Sequence, residues 1–308
     1  MFDIMFLGTA ASRPTADRGL SGLMVFHETE RFLVDCGEGT QRQLIRGKVG
    51  YRKLTRVFLT HCHLDHILGL GGLAASFSEW EPLKELTIYG PPTAISLARR
   101  LLCDVVLPEA GTALDIQFVE LAGGETVSCD HVQVRATAVP HREAECLAYL
   151  FEEPAHRHFN RVIAERLGVP EGPARHQLAK GEAVTLGDGT TILPDDVLGP
   201  PVAGTRLMVV GDIADPDGLL DIAADVDGLV IESTYLEADR EHARHYGHLT
   251  AVDAARFATA CRARALYLTH ISGRYTGTEI LEEARHWYAN AVLAEDLMRA
   301  SIKPASAS

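Results

Sequence analysis

Three imidazoles and a carboxylate within six residues, His61-Cys62-His63-Leu64-Asp65-His66, constrain this chain more than any other feature. The run follows directly on Arg56-Val57-Phe58-Leu59-Thr60, a short apolar segment with the character of a β-strand. Side chains two apart on extended backbone share a face, so His61 and His63 can converge on one ion while Asp65 and His66 serve a second. One loop cannot complete two coordination shells. A fold that uses this run must bring further ligands to it from elsewhere in the chain.

Candidates stand at equivalent places. His141 follows Val139-Pro140, Asp212 follows Leu207-Met208-Val209-Val210-Gly211, and His270 follows Leu266-Tyr267-Leu268-Thr269. Each is the first ligand-type side chain after an apolar strand. The assignment gives one zinc ion to His61, His63 and His141 and another to Asp65, His66 and His270, with Asp212 bridging. Two such ions about 3.5 to 4 Å apart lower the pKa of water from about 15.7 to about 7 and neutralise phosphoryl oxygens. They supply an activated hydroxide for attack on a phosphodiester, and Asp65 can accept its proton while also ligating. His and Asp donors suit manganese or iron as well as zinc, which leaves the metal open.

Other apolar runs predict strands over 3–8, 22–26, 31–35, 132–139, 206–210, 228–231 and 265–268. Helices are expected over 69–77, 251–261 and 279–289, the last preceded by Thr276 and Thr278 as caps. Strands interleaved with helices predict an α/β fold of sheet and helix layers around one core. The expectation is a single domain over 1–308 carrying an insertion over 152–204. That stretch is rich in Pro, Gly and charge and weakly periodic, as an arm or loop would be. Gly69-Leu70-Gly71-Gly72-Leu73-Ala74 matches a dinucleotide fingerprint only superficially, since the histidine run separates it from its strand. Its glycines are expected to let a helix pack closely beneath the metal loops, with Cys62 pointing away from the ligands.

A net charge of -13 excludes general adhesion to nucleic acid, which needs Lys and Arg to displace counterions. It leaves room for a local basic track. The six cysteines show no paired close spacings, so reduced thiols are expected. No apolar run approaches the roughly 20 residues that span a bilayer, and Met1 to Thr9 reads as a strand rather than a signal peptide. A cytoplasmic protein is expected, with no membrane partner.

The HxHxDH run with His141, Asp212 and His270 resembles the metallo-β-lactamase superfamily. Resemblance to the ribonuclease Z family rests on Leu7-Gly8-Thr9-Ala10-Ala11-Ser12-Arg13-Pro14-Thr15 and Asp35-Cys36-Gly37-Glu38-Gly39-Thr40-Gln41. It extends through Glu232-Ser233-Thr234, Gly247-His248-Leu249-Thr250-Ala251 and Thr269-His270-Ile271-Ser272-Gly273-Arg274-Tyr275. The family implies an αββα sandwich, two mixed β-sheets flanked by helices with the metals along one edge, and an inserted flexible arm. It implies a zinc-dependent endoribonuclease, with two Zn2+ per subunit, that cleaves the 3′ trailer from precursor tRNA. Asp35 would organise the metal loops, and His248, tuned by Glu232, would protonate the leaving 3′ oxygen. Ser272 and Arg274 would face RNA phosphate. Gly172-Pro173 with Arg175, His176 and Lys180 is similar to the start of the family's arm, although the surrounding glutamates equally suit a solvated mixed-charge loop. Members usually form homodimers. The chain departs from the family at Gly211-Asp212-Ile213, where a threonine is usual, and at Gly273, where a second serine is common.

Two rival classes remain: a hydrolase of small phosphodiesters, sulfate esters or lactones, and a non-catalytic scaffold that has kept the fold. Seven ligand positions and an acid argue against the scaffold. The arm and the Glu232/His248 pair favour tRNA over the small ester.

Overall fold

Alternation of large apolar side chains gives the first strand two buried faces. Along Phe2–Gly8, Phe2, Ile4 and Phe6 enter one apolar cluster while Met5 and Leu7 enter another. The same split recurs in Arg206–Val210, where Leu207 and Val209 part from Met208 and Val210. Strands buried on both faces need cover on both, which sheet-on-sheet packing with outer helices provides. The computed structural model describes residues 1–51, 53–79, 83–107 and 114–304.

Among these residues two mixed sheets carry seven strands each. The first runs Arg299–Ile302, Phe2–Gly8, Gly22–His27, Glu30–Val34, Leu54–Phe58, Glu85–Gly90, Asp115–Glu120; the second runs Val292–Leu293, Leu266–Thr269, Gly228–Glu232, Arg206–Val210, Ala144–Glu152, Gln133–His141, Thr126–Ser128. Their facing sides share a core of Phe2, Phe6, Phe32 and Phe58 against Tyr149, Phe151, Leu207 and Val230. Helices Thr40–Arg46, Gly69–Glu79 and Pro92–Arg99 cover the outside of the first sheet, and Ala251–Ala260 and Gly277–Arg285 that of the second. This is the expected αββα sandwich. Helix Gly277–Arg285 starts earlier than expected because Thr276 and Glu279 close a capping box.

Strand direction gathers the chemistry at one edge. Leu54–Phe58 runs parallel to Glu30–Val34, while Arg206–Val210, Gly228–Glu232 and Leu266–Thr269 run parallel to one another. Gln133–His141 lies two antiparallel steps from Arg206–Val210 and therefore points the same way. The C-terminal ends of these strands carry Asp35, the histidine run, His141, Asp212, Glu232 and His270. The second sheet also clasps the histidine loop, since Tyr149 Oη donates to Leu59 O at 2.6 Å and Leu147 N to Thr60 O at 2.9 Å.

Gly69 acts through close approach. A Cβ there would fall 2.0 Å from Gly37 O. Without one, Gly69 N donates to Cys36 O at 2.8 Å and Cys36 N to His66 O at 2.7 Å, locking the Asp35 loop to the histidine loop. Cys62 packs against the apolar cluster outside the first sheet, away from the ligands.

Residues 153–204 form a second compact unit. Glu152 still pairs with Arg206 in the second sheet, so this unit begins one residue after the expected boundary. It is more than a loop. Helices Arg161–Arg166, Pro173–Ala179 and Pro194–Val197 surround a cluster of Ala164, Val169, Leu178, Val184, Ile192, Val197 and Leu198. Each short element supplies one or two apolar side chains, too few for periodicity to show in sequence. No helix among the described residues is long and apolar enough to cross a membrane.

Candidate metal centre

Four imidazoles are fixed in the same way, each by an acceptor on Nδ1. His61 Nδ1 meets Thr60 Oγ1 at 2.9 Å, His66 Nδ1 meets Asp35 Oδ2 at 2.7 Å, His141 Nδ1 meets Gly247 O at 2.7 Å, and His270 Nδ1 meets Thr234 Oγ1 at 2.9 Å. An Nδ1–H so held leaves the Nε2 lone pair facing inward, the tautomer a cation needs. Asp35 supports two of them, because its carboxylate also accepts from Thr60 N and Thr60 Oγ1, each at 2.8 Å. His63 presents Nδ1 instead, 3.4 Å from His141 Nε2. Asp35 and His270 adopt positive φ of 59° and 57°, a costly conformation that turns both side chains sharply off their strands.

Asp212 divides its oxygens between two groups. Oδ2 lies 3.6 Å from His61 Nε2 and 3.7 Å from His141 Nε2, whereas Oδ1 lies 3.5 Å from His66 Nε2 and 3.3 Å from His270 Nε2. Asp65 Oδ2 joins the second group, 3.7 Å from His66 Nε2 and 3.5 Å from His270 Nε2. Around a tetrahedral ion with bonds of about 2.0 to 2.1 Å, ligand atoms sit about 3.3 to 3.4 Å apart, close to these separations. His61 Nε2, His66 Nε2, His270 Nε2 and Asp212 Oδ1 are buried with no hydrogen-bond partner, an expense that a bound cation removes. The donor set thus fits two divalent cations: His61, His63, His141 and Asp212 on one side, and Asp65, His66 and His270 on the other.

The charges agree. Burial and neighbouring imidazoles hold His61 well below the usual histidine range, and burial lowers His63 and His141 also, so these are neutral donors. Burial opposes ionisation of Asp212, but His270 and His66 outweigh it and keep the carboxylate charged. His66 goes the other way. Despite burial, Asp212, Asp35 and Asp65 raise it to about 10, the negative surroundings that a bound cation would share. Asp35→Asn should consequently weaken zinc binding by about 10- to 100-fold, read by competition with a chelator. Unchanged affinity would show that Asp35 does not orient His66.

Glu232 is buried at the end of its strand and accepts four bonds. Oε1 takes Ile213 N at 2.8 Å and His248 Nδ1 at 2.9 Å; Oε2 takes Thr234 Oγ1 at 2.5 Å and Leu249 N at 3.2 Å. His248 is thereby held with Nε2 free. Burial lowers its pKa, but Glu232 and Asp212 prevail and raise it to about 9. The departure at Ile213 leaves this intact, because its backbone N–H makes the bond while its side chain packs in the apolar core.

The centre opens into a cleft of about 730 Å³ whose rim includes Ser272 and Arg274, and also Arg13, Arg142 and Tyr246. Sequence reasoning overlooked these last three, although Arg142 adjoins His141 and Arg13 lies in the opening motif. Ser12 N donates to Asp65 Oδ2 at 2.9 Å, tying that motif to the second ligand group. Arg175, His176 and Lys180 belong to the separate unit. There Arg175 is engaged by Val169 O and Glu171, while His176 and Lys180 are exposed.

A family model described as the anti-Pycsar protein Apyc1 matches residues 2–152. The ribonuclease Z of Bradyrhizobium diazoefficiens is 43% identical over 297 residues, covering 96% of this chain and 98% of its own. That of Archaeoglobus fulgidus is 36% identical over 301 residues, covering 97% of both. Among solved structures, the short form of human tRNase Z superposes with a TM-score of 0.68 at 26% identity, covering 98% of this chain and 99% of its own. The metallo-β-lactamase fold protein YhfI of Bacillus subtilis gives the same score at 18% identity, a likeness of fold. With its ligand groups, the Glu232/His248 pair and near-full-length identity in agreement, this chain belongs to the ribonuclease Z family.

Proposed function

We propose that this chain is a metal-dependent endoribonuclease that removes the 3′ trailer from precursor tRNA. The carrying observation is the two ligand groups joined by Asp212, with the His248 imidazole held beside them by Glu232 at the base of a cleft rimmed by arginines. His61, His63, His141 and Asp212 would hold one zinc ion, and Asp65, His66, His270 and Asp212 the other. Bound there, such ions activate water at neutral pH and neutralise charge on the phosphoryl oxygens.

The chain's own groups do the rest. Arg274 and Ser272, with Arg13 and Arg142, can orient the phosphodiester by charge-assisted hydrogen bonds. Asp65, kept ionised by His270 and His66 against the effect of burial, can take the proton of the attacking water. His248 donates its Nε2 proton to the departing 3′ oxygen, and Glu232 keeps that proton in place near neutrality.

Sign follows from this role. A general acid works while protonated, so kcat/KM should fall as pH rises through the His248 pKa, raised to about 9. Glu232→Gln removes the largest raising influence and should move that alkaline fall to lower pH. A fall that stays in place would exclude Glu232 as the tuning group.

A zinc pair and a homodimer belong to the same proposal. Exposed Ile45, Leu64 and Leu68 support the second, and metal analysis and light scattering on the purified protein check both. The unit 153–204 would serve as an arm on the tRNA body, with exposed His176 and Lys180 toward RNA and KM for precursor tRNA after Lys180→Glu as its measure. Six free thiols accord with a cytoplasmic setting.

Comparison of precursor tRNA with bis-p-nitrophenyl phosphate tests the function. Efficient trailer removal is expected. Hydrolysis of the small ester alone would defeat the tRNA reading and leave a small-diester hydrolase.

A further inference from the structure

The two sheets hold their histidines by the same device. After Glu30–Val34, the Asp35 carboxylate accepts from His66 Nδ1 at 2.7 Å and from Thr60 Oγ1 at 2.8 Å, and that hydroxyl lies 2.9 Å from His61 Nδ1. At the end of Gly228–Glu232, the Glu232 carboxylate accepts from His248 Nδ1 at 2.9 Å and from Thr234 Oγ1 at 2.5 Å, and that hydroxyl lies 2.9 Å from His270 Nδ1. Each carboxylate thus fixes one imidazole directly and another through a threonine. The outcome differs. Asp35 and Thr60 serve two candidate ligands, His66 and His61, whereas Glu232 and Thr234 serve one, His270, together with the acid, His248. The His248 and His270 rings so joined stand 5.4 Å apart between centroids.

A hydroxyl has a single proton, which fixes the direction of the second chain. His270 must keep its Nε2 lone pair for a cation, so its Nδ1–H donates to Thr234 Oγ1 and the hydroxyl donates onward. Two acceptors stand within reach, Glu232 Oε2 at 2.5 Å and His270 O at 3.0 Å. The shorter bond, to a carboxylate oxygen, prevails. It is also the shortest of the four that Glu232 accepts, so it bears most on how that carboxylate is turned, and hence on where Oε1 holds His248. The local fold does not need the hydroxyl. Glu232 pairs with Thr269, Ser233 N donates to Thr269 O at 2.9 Å, and Ser272 N to Thr234 O at 3.3 Å, all through backbone.

We propose that Thr234 is a positioning residue for both parts of the chemistry. Its one hydroxyl aims His270 at the second ligand group and, through Glu232, aims His248 at the leaving oxygen. The inference rests on His248 being the general acid.

The test compares Thr234→Val, which keeps the shape and removes the hydroxyl, with Thr234→Ser, which keeps the hydroxyl, and with Thr60→Val, whose threonine serves no acid. Competition with a chelator reads zinc affinity, and cleavage of precursor tRNA and of bis-p-nitrophenyl phosphate is then followed at saturating zinc. Thr234→Val should weaken the binding of one ion by about 10- to 100-fold. With zinc restored it should still lose about tenfold on the precursor, part of the roughly 10²- to 10⁴-fold that a general acid contributes, and far less on the small ester. Thr234→Ser should return both readings to near wild type. Thr60→Val should also weaken zinc binding, but at saturating zinc it should lower the two activities in equal proportion. Equal losses on both substrates in Thr234→Val would confine its hydroxyl to the metal and overturn the inference, as would unchanged zinc affinity, full precursor activity, or a Thr234→Ser variant no better than Thr234→Val. A loss confined to the precursor in Thr60→Val would overturn it too, by showing that any loosened histidine has this effect. Full precursor activity in His248→Ala would instead remove the general-acid reading, and the inference with it. Should Thr234→Val unfold, judged by its melting curve, Thr234→Ala gives the same comparison.

Discussion

His63→Ala should leave the chain folded, reduce its metal content from two ions to one, and lower precursor cleavage by about a thousandfold or more. His63 is half-buried and contributes Nδ1 to the first ligand group, so its loss opens that group without a void in the core. Lewis-acid stabilisation of several kcal/mol is lost with the ion, and each 1.36 kcal/mol is about tenfold in rate. Elemental analysis beside single-turnover kinetics reads both effects. Two retained ions with activity within tenfold of wild type would show that His63 is no ligand.

His248→Ala should do the opposite to the metals and nearly the same to the RNA. Its Nδ1 is committed to Glu232, so both ions should remain, while precursor cleavage falls by about 10²- to 10⁴-fold with the general acid removed. Hydrolysis of bis-p-nitrophenyl phosphate should fall far less. Its leaving group departs as a stable anion and needs no proton near neutral pH. Full activity of the variant on precursor tRNA would refute the general-acid role, and equal losses on both substrates would point to a disturbed metal centre.

The clustering of the candidate ligands was legible because metal chemistry writes itself locally. HxHxDH is contiguous, and His141, Asp212 and His270 each follow an apolar strand, so strand direction alone brings them together. Their orientation was not legible. The bonds of His61 to Thr60, His141 to Gly247 and His270 to Thr234 span from one to more than a hundred residues of sequence, and no spacing announces them. Ile213 shows the converse. A threonine is usual at this place in the family, yet here the side chain packs in the apolar core and the backbone N–H makes the bond to Glu232.

Fold legibility divided along similar lines. Strands with a buried apolar run and a ligand at the end were found within a residue or two. Asp115–Glu120, half-exposed at the edge of its sheet, and Glu85–Gly90, with its mixed pattern, offered weaker signals and were missed. Ala144–Glu152 was missed for another reason: it is apolar almost throughout, as strands covered on both faces are, and lacks the alternation that marks an exposed sheet.

The most direct test of the account is the chemistry of the cut ends. Metal-loaded protein given precursor tRNA should leave a 3′-hydroxyl on the tRNA body and a 5′-phosphate on the trailer, since water attacks phosphorus and His248 protonates the departing 3′ oxygen. A 2′,3′-cyclic phosphate on the body would mean that the RNA's own 2′-hydroxyl had attacked, and would contradict the water-activating centre proposed for His61, His63, Asp65, His66, His141, Asp212 and His270.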